Sequence, residues 1–234
     1  MCGRYALSKT LEQLEAAFSE IDFDPSIVPR FNVSPGQEVL SLAKDRVPNQ
    51  YQAGWFEWGL IPRWAEGPSA KPLINARCET LHEKRSFKES FSKRRCLVVA
   101  DGFYEWKKSS EGKKPFLFQL TDGEPFVMAG VWDCWTAPGG KSERLSCAIL
   151  TTEANELVRP LHHRMPVILR AKDFRRWLDL EPADLPNIFR PFDASQMKAF
   201  EVSRAVNNPS NDRPDMIEPV SGGGQLTFVG DEHV

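Results

Sequence analysis

Apolar residues in this chain cluster mainly in short runs of strand length rather than at helical spacing. The stretches "CLVVADGFYEWKK", "KPFLFQL", "PFVMAGVWDCW" and "LSCAILTTEA" are rich in β-branched and aromatic residues, and turn residues separate them. "MPVIL" and "MKAFEVS" read as further strands, and "FNVSPGQEVLSLA" as a short strand after a turn. Helical spacing is confined to a few places. Leu11, Leu14, Ala17 and Phe18 predict a helix between Leu7 and Phe18, capped by Ser8 or Thr10, and "AKDFRRWLDL" predicts another. A strand is expected around 53–60. The Gly-, Pro- and Trp-rich residues after it predict a long ordered loop, which in a compact domain is usually functional.

Mixed strands with few helices imply an α+β fold with a strongly curved or barrel-like sheet core. No repeat and no internal boundary interrupts residues 1–220, so a single domain is expected there. The glycine-rich "SGGGQLTFVGDEHV" reads as a flexible tail over 221–234.

Composition narrows the classes. With 234 residues, 41% hydrophobic and 26% charged, the chain can bury a sizeable core. It has neither a run of roughly 20 apolar residues nor a secretory pattern, so no membrane partner is expected and the default compartment is the cytoplasm. Five cysteines without a C-x-x-C pair argue against structural zinc and a disulfide framework. No nucleotide motif is visible, so no cofactor and no metal are expected. A monomer is expected. The net charge of −2 gives no global case for nucleic acid. Residues 83–95, EKRSFKESFSKRR, do carry six Lys or Arg against two Glu, with Phe87 and Phe91 four apart. They predict an amphipathic helix with a basic outer face, either simply solvated or phosphate-binding.

The chemistry begins at "MCGRY". A cysteine at position 2 becomes N-terminal once Met1 is removed, and then presents a thiol and an α-amine on adjacent carbons. Their ordinary pKa values, about 8.5 and about 8, leave both partly available near neutrality. Such a pair can act as an N-terminal nucleophile. It can also condense with an aldehyde to an imine and close to a thiazolidine, an intramolecular second step. An inert cysteine fits the position equally well. Glu105 sits among Phe103, Tyr104 and Trp106, where aromatic surroundings would raise its pKa; a surface strand end is the alternative. In "RPLHHRMPVIL", His162 and His163 point to different sides of an extended chain, so one can serve as a proton shuttle or both can be structural. In "INARCET", Asn75 and Arg77 project to the same side and could hold a polar sugar and an anion. Trp64 is either a stacking surface for unpaired bases or a loop anchor.

Together "MCGRY", "NVSPGQ", "WGLIPRWA", "INARCET", "FYEWKK", "HHRMPVIL" and "VSRAVNNPSND" occur in the order of the SOS response-associated peptidase (SRAP) family, which the chain resembles from Cys2 to about Val220. That resemblance implies recognition of abasic sites in single-stranded DNA and a covalent thiazolidine crosslink through Cys2 that shields the lesion. In a bacterium it also implies association with the nucleoid. By matching position, Asn75 is implied to contact the abasic sugar, Glu105 to act as acid/base and His162 to transfer protons. Arg4, Arg77, Arg85 and Arg164 match backbone-phosphate contacts, and Trp64 matches an aromatic against the disrupted base stack. A cysteine peptidase or autopeptidase, a non-covalent DNA binder and an abasic-site lyase are the alternatives. Cys78, inside "NARCET", raises the question of a second thiol near the site.

Overall fold

The computed structural model describes residues 2–44, 50–68, 71–110, 112–140, 142–181, 184–185 and 188–226. Met1, and the part of the expected tail from 227 onward, lie outside these.

The strand signals resolve into a closed barrel and a second sheet. The barrel strands are β3 (Glu38–Lys44), β4 (Tyr51–Trp58), β6 (Arg95–Ala100), β9 (Phe126–Thr136) and β10 (Glu143–Glu153). They close because β10 pairs with both β9 and β4, in the circuit β10-β4-β3-β6-β9. Closure removes the free edges that so many apolar strands would otherwise expose. Three short strands extend this sheet: β5 (Asn75–Arg77) and β11 (Arg164–Pro166) on β10, and β12 (Ile168–Arg170) on β9. The second sheet has the order β14-β13-β8-β7-β1-β2. It comprises β1 (Tyr5–Leu7), β2 (Arg30–Val33), β7 (Gly102–Ser109), β8 (Gly112–Leu120), β13 (Met197–Glu201) and β14 (Gln225–Leu226). The architecture is α+β with a barrel core, as the strand pattern predicts.

The chain crosses from barrel to sheet between β6 and β7. Gly102 permits that close passage, because a Cβ there would lie 2.7 Å from Leu117 Cδ1. Fully buried Trp58, Trp177, Phe118 and Phe126 fill the interior. Helix α1 spans Leu11–Ala17 and begins later than its apolar spacing alone allows. Thr10 and Gln13 form a capping box, and Leu7 belongs to β1.

The basic segment differs more from expectation. Only Lys88–Lys93 is helical (α2), and Phe87 and Phe91 both face inward. Arg94 ends the helix and turns to a buried carboxylate. Arg95 donates to the carbonyls of Phe91, Trp177, Leu178 and Leu180 around α3 (Phe174–Asp179). Two of the six cations are thus consumed internally. The glycine-rich segment reaches the sheet edge, where Gln225 and Leu226 pair with Phe200 and Ala199.

Candidate functional site at the chain terminus

Strand pairing brings Cys2 to Glu105. β1 runs antiparallel to β7 with Tyr5 opposite Phe103, and the Tyr104 amide donates to Arg4 O at 3.0 Å. The same register, continued outward, sets the first residues of the chain alongside Glu105. Asn75 reaches the terminus from the barrel. β4 leaves β10 after Trp58, and β5 returns to β10 in the same parallel sense, with Asn75 opposite Ile149. Its Nδ2 donates to Cys2 O at 2.8 Å, while its Oδ1 is buried and accepts nothing among the described residues.

Burial dominates the electrostatics. The Cys2 side chain is fully buried, its Sγ directed at Arg4 O at 3.8 Å. Burial and then the Glu105 carboxylate push its thiol up to about 12. Glu105, itself buried, is raised to about 7 by desolvation, against the opposing positive charge of the chain terminus. His162 is lowered by burial and then by that same terminal charge. Thiol, carboxyl and imidazole therefore share one electrostatic neighbourhood at the start of the chain. His162 Nδ1 lies 2.9 Å from the Arg164 amide and 3.2 Å from Arg164 O, so this nitrogen finds a partner in either neutral tautomer. His163 stacks on it at 4.5 Å between centroids.

The arginines expected to meet phosphate divide into two pairs. Arg77 and Arg85 are exposed, and Arg85 lies over the Trp64 ring at 4.0 Å, a cation–π platform on a half-exposed indole. Arg4 and Arg164 are buried. Arg4 donates to Asn32 Oδ1 at 2.7 Å and Val206 O at 2.8 Å. Arg164 makes a bidentate pair with Glu79, at 2.5 and 2.8 Å. The Nε of each is buried without a partner among the described residues. Cys78 lies against Thr152, Glu79 and Arg164.

Glu79 and Asp133 are participants that the sequence pattern does not single out. Asp133, inside the apolar β9, accepts from the Arg63 amide at 3.0 Å and Arg63 Nε at 2.9 Å, and pairs with Arg94 at 3.2 Å. With the Trp135 indole donating to Ala65 O at 2.8 Å, it fixes the loop that presents Trp64. A lone carboxylate in "VMAGVWDCW" is the one signal for it. Removing one partner of a buried ion pair costs roughly 3–5 kcal/mol. Asp133→Ala is expected to lower the denaturant midpoint accordingly and to broaden the fluorescence of Trp64.

The buried Cys2 thiol, the Asn75 amide bound to its carbonyl, the Glu105 carboxyl and the His162 imidazole thus gather between the barrel and the second sheet, with the Arg85–Trp64 pair on a neighbouring loop. The chain belongs to the SOS response associated peptidase (SRAP) family, whose model matches residues 1–209. It is 38% identical over 225 residues to the abasic site processing protein YoqW of Bacillus subtilis, covering 93% of this chain and 99% of that one. It is 34% identical to the abasic site processing protein YedK of Escherichia coli (94% and 100% covered). The abasic site processing protein HMCES of Gallus gallus is 33% identical (95% and 79% covered). A crystal structure of a protein from Bacteroides thetaiotaomicron superposes with a TM-score of 0.82 at 26% identity, covering 94% of this chain and all of the other.

Proposed function

We propose that this protein recognises abasic sites in single-stranded DNA and, once Met1 is removed, joins them covalently through Cys2 as a thiazolidine. The observation that carries the reading is the hold on the terminal residue: Asn75 fixes the Cys2 carbonyl beside a carboxyl whose proton is available near pH 7. The names of the relatives, all abasic site processing proteins, support the substrate class.

Opening the sugar moves one proton off O1′ and puts another on the ring oxygen, so no net proton is consumed. His162, satisfied in either tautomer, suits that exchange. The α-amine adds to the aldehyde carbon, and protonated Glu105 helps the carbinolamine lose its hydroxyl as water. The thiol then adds to the imine carbon while its proton passes to nitrogen, which closes the ring. One water is released overall. Asn75 Oδ1, as a buried acceptor, suits a sugar hydroxyl, and the exposed guanidinium groups of Arg77 and Arg85 suit phosphate oxygens.

Burial of the thiol argues against a general cysteine peptidase, which needs a standing thiolate. The deciding experiment incubates the protein with a uracil-containing single strand pretreated with uracil glycosylase. The expected intact mass is the sum of Met1-free protein and abasic strand less one water, with the bond mapped to Cys2. A bond mapped elsewhere, or no adduct at all, overturns the proposal.

A further inference from the structure

The hairpin of β7 and β8 ends in two consecutive cross-strand pairs made only of lysine: Lys107 faces Lys114, and Lys108 faces Lys113. Like charges directly opposite each other on antiparallel strands are unfavourable, so the fold keeps this arrangement at a cost. Lys114 is ion-paired with Glu201 at 3.6 Å. Lys107, Lys108 and Lys113 are exposed and form no ion pair with a described residue. The chain carries 32 acidic against 30 basic residues, so these lysines are not part of a general positive excess.

Their position supplies the argument. β7 is the strand that carries Glu105, and residues two apart on a strand share a face. Lys107, with Lys114 opposite, therefore continues the face of Glu105. At about 3.3 Å of rise per residue the first lysine pair lies about 7 Å beyond that carboxyl, and the second about 10 Å. A polyanion passing the reacting centre on that face would meet Lys107, and would meet Lys108 and Lys113, which alternate to the other face of the ribbon, where it wraps the end of the hairpin. Lysine suits such an encounter, being a mobile point charge without the fixed fork that reads a base or clamps one phosphate.

We propose that the β7–β8 hairpin is an electrostatic arm that holds the phosphates of the DNA strand immediately flanking the reacting nucleotide. This rests on the site reading given above. The test separates the two. A strand bearing tetrahydrofuran in place of the abasic sugar cannot open to an aldehyde, so its binding reports non-covalent interactions alone. The triple variant Lys107→Gln/Lys108→Gln/Lys113→Gln alters only exposed side chains and is expected to keep its thermal midpoint or raise it. Lys172→Gln, on an exposed residue just before α3, is the control.

For the triple variant, the slope of log affinity against log salt should become shallower by about 0.7 for each phosphate that is no longer neutralised, up to about 2. Affinity at low salt should fall at least tenfold. Shortening the strand on one side of the lesion should weaken the wild type and leave the variant unaffected. The adduct rate at saturating aldehyde-bearing strand should be unchanged. An unchanged salt slope and an unchanged length dependence would overturn the arm while leaving the site reading intact. Failure of the wild type to crosslink would instead strike the site reading, since tetrahydrofuran binding does not depend on it.

Discussion

Cys2→Ala is expected to abolish the heat-stable adduct with an abasic strand, whereas Cys78→Ala crosslinks at the wild-type rate. The difference is chemical rather than positional. Both thiols are buried and pushed upward in pKa by desolvation, so neither stands as a thiolate at neutral pH. Only residue 2 acquires an amine on the adjacent carbon. Once that amine has formed an iminium, the new positive charge sits beside the Cys2 sulfur and favours its ionised form. Burial thus protects the thiol until the substrate itself activates it. Cys2→Ser separates the two halves of the reaction, because serine still permits Met1 removal and still presents an amine. It should form an imine that borohydride reduction traps, with little adduct surviving heat in the absence of reduction. Protein prepared with Met1 retained should form no heat-stable adduct, because its terminal amine is no longer on the residue that carries the thiol. Equal heat-stable adduct from Cys2→Ala and wild type would falsify the proposed chemistry, and gel electrophoresis after boiling is sufficient to see it.

The parts of this site that could be read from the sequence are those whose chemistry is local. A cysteine behind the initiator, a glutamate in an aromatic run and a histidine pair each announce unusual side chains in short windows. What no window contains is the register that joins them. Tyr5 opposite Phe103 is set by the pairing of β1 with β7, almost a hundred residues apart. The return of β5 to the same edge of β10 that β4 has left places Asn75, and nothing within "INARCET" encodes it. The barrel itself was legible because so many apolar strands need burial on a closed surface.

Charges were the least legible. Basic residues read as surface and as candidates for phosphate, yet two arginines of the motifs and two of the basic segment 83–95 turn inward. Arg4 ties β1 to Asn32 and to the segment at Val206, and Arg164 is held by Glu79 and Thr151 O. Arg94 pairs with Asp133, and Arg95 binds carbonyls around α3. A guanidinium carries five donors on a long apolar stem, so it can satisfy buried acceptors as readily as it meets solvent. Which of the two it does depends on acceptors supplied by distant strands. The lysines of the β7–β8 hairpin are the converse case: the register that pairs them like against like is what gives them meaning.

Glu105→Gln should slow adduct formation by about 10²-fold or more while making the folded protein more stable above neutrality. The rate loss follows from removing the general acid, whose usual contribution is about 10²–10⁴-fold. The stability gain follows from linkage. Desolvation raises the folded carboxyl from its ordinary 4.5 to about 7, so between those values the folded state binds a proton that the unfolded chain has released. The stabilisation associated with Glu105 is therefore complete below about 4.5 and is lost as pH rises through about 7. Glutamine stays neutral throughout. The two proteins should match near about pH 4, and the variant should be the more stable at about pH 8.5, by up to roughly 3 kcal/mol. Wild-type crosslinking should also decline above about 7 as the acid ionises, and the variant should lack that limb. Denaturant midpoints and single-turnover rates across this range test both arms. A structural glutamate would lose stability on neutralisation at every pH, whereas a carboxyl held protonated for proton transfer gains stability and loses rate together.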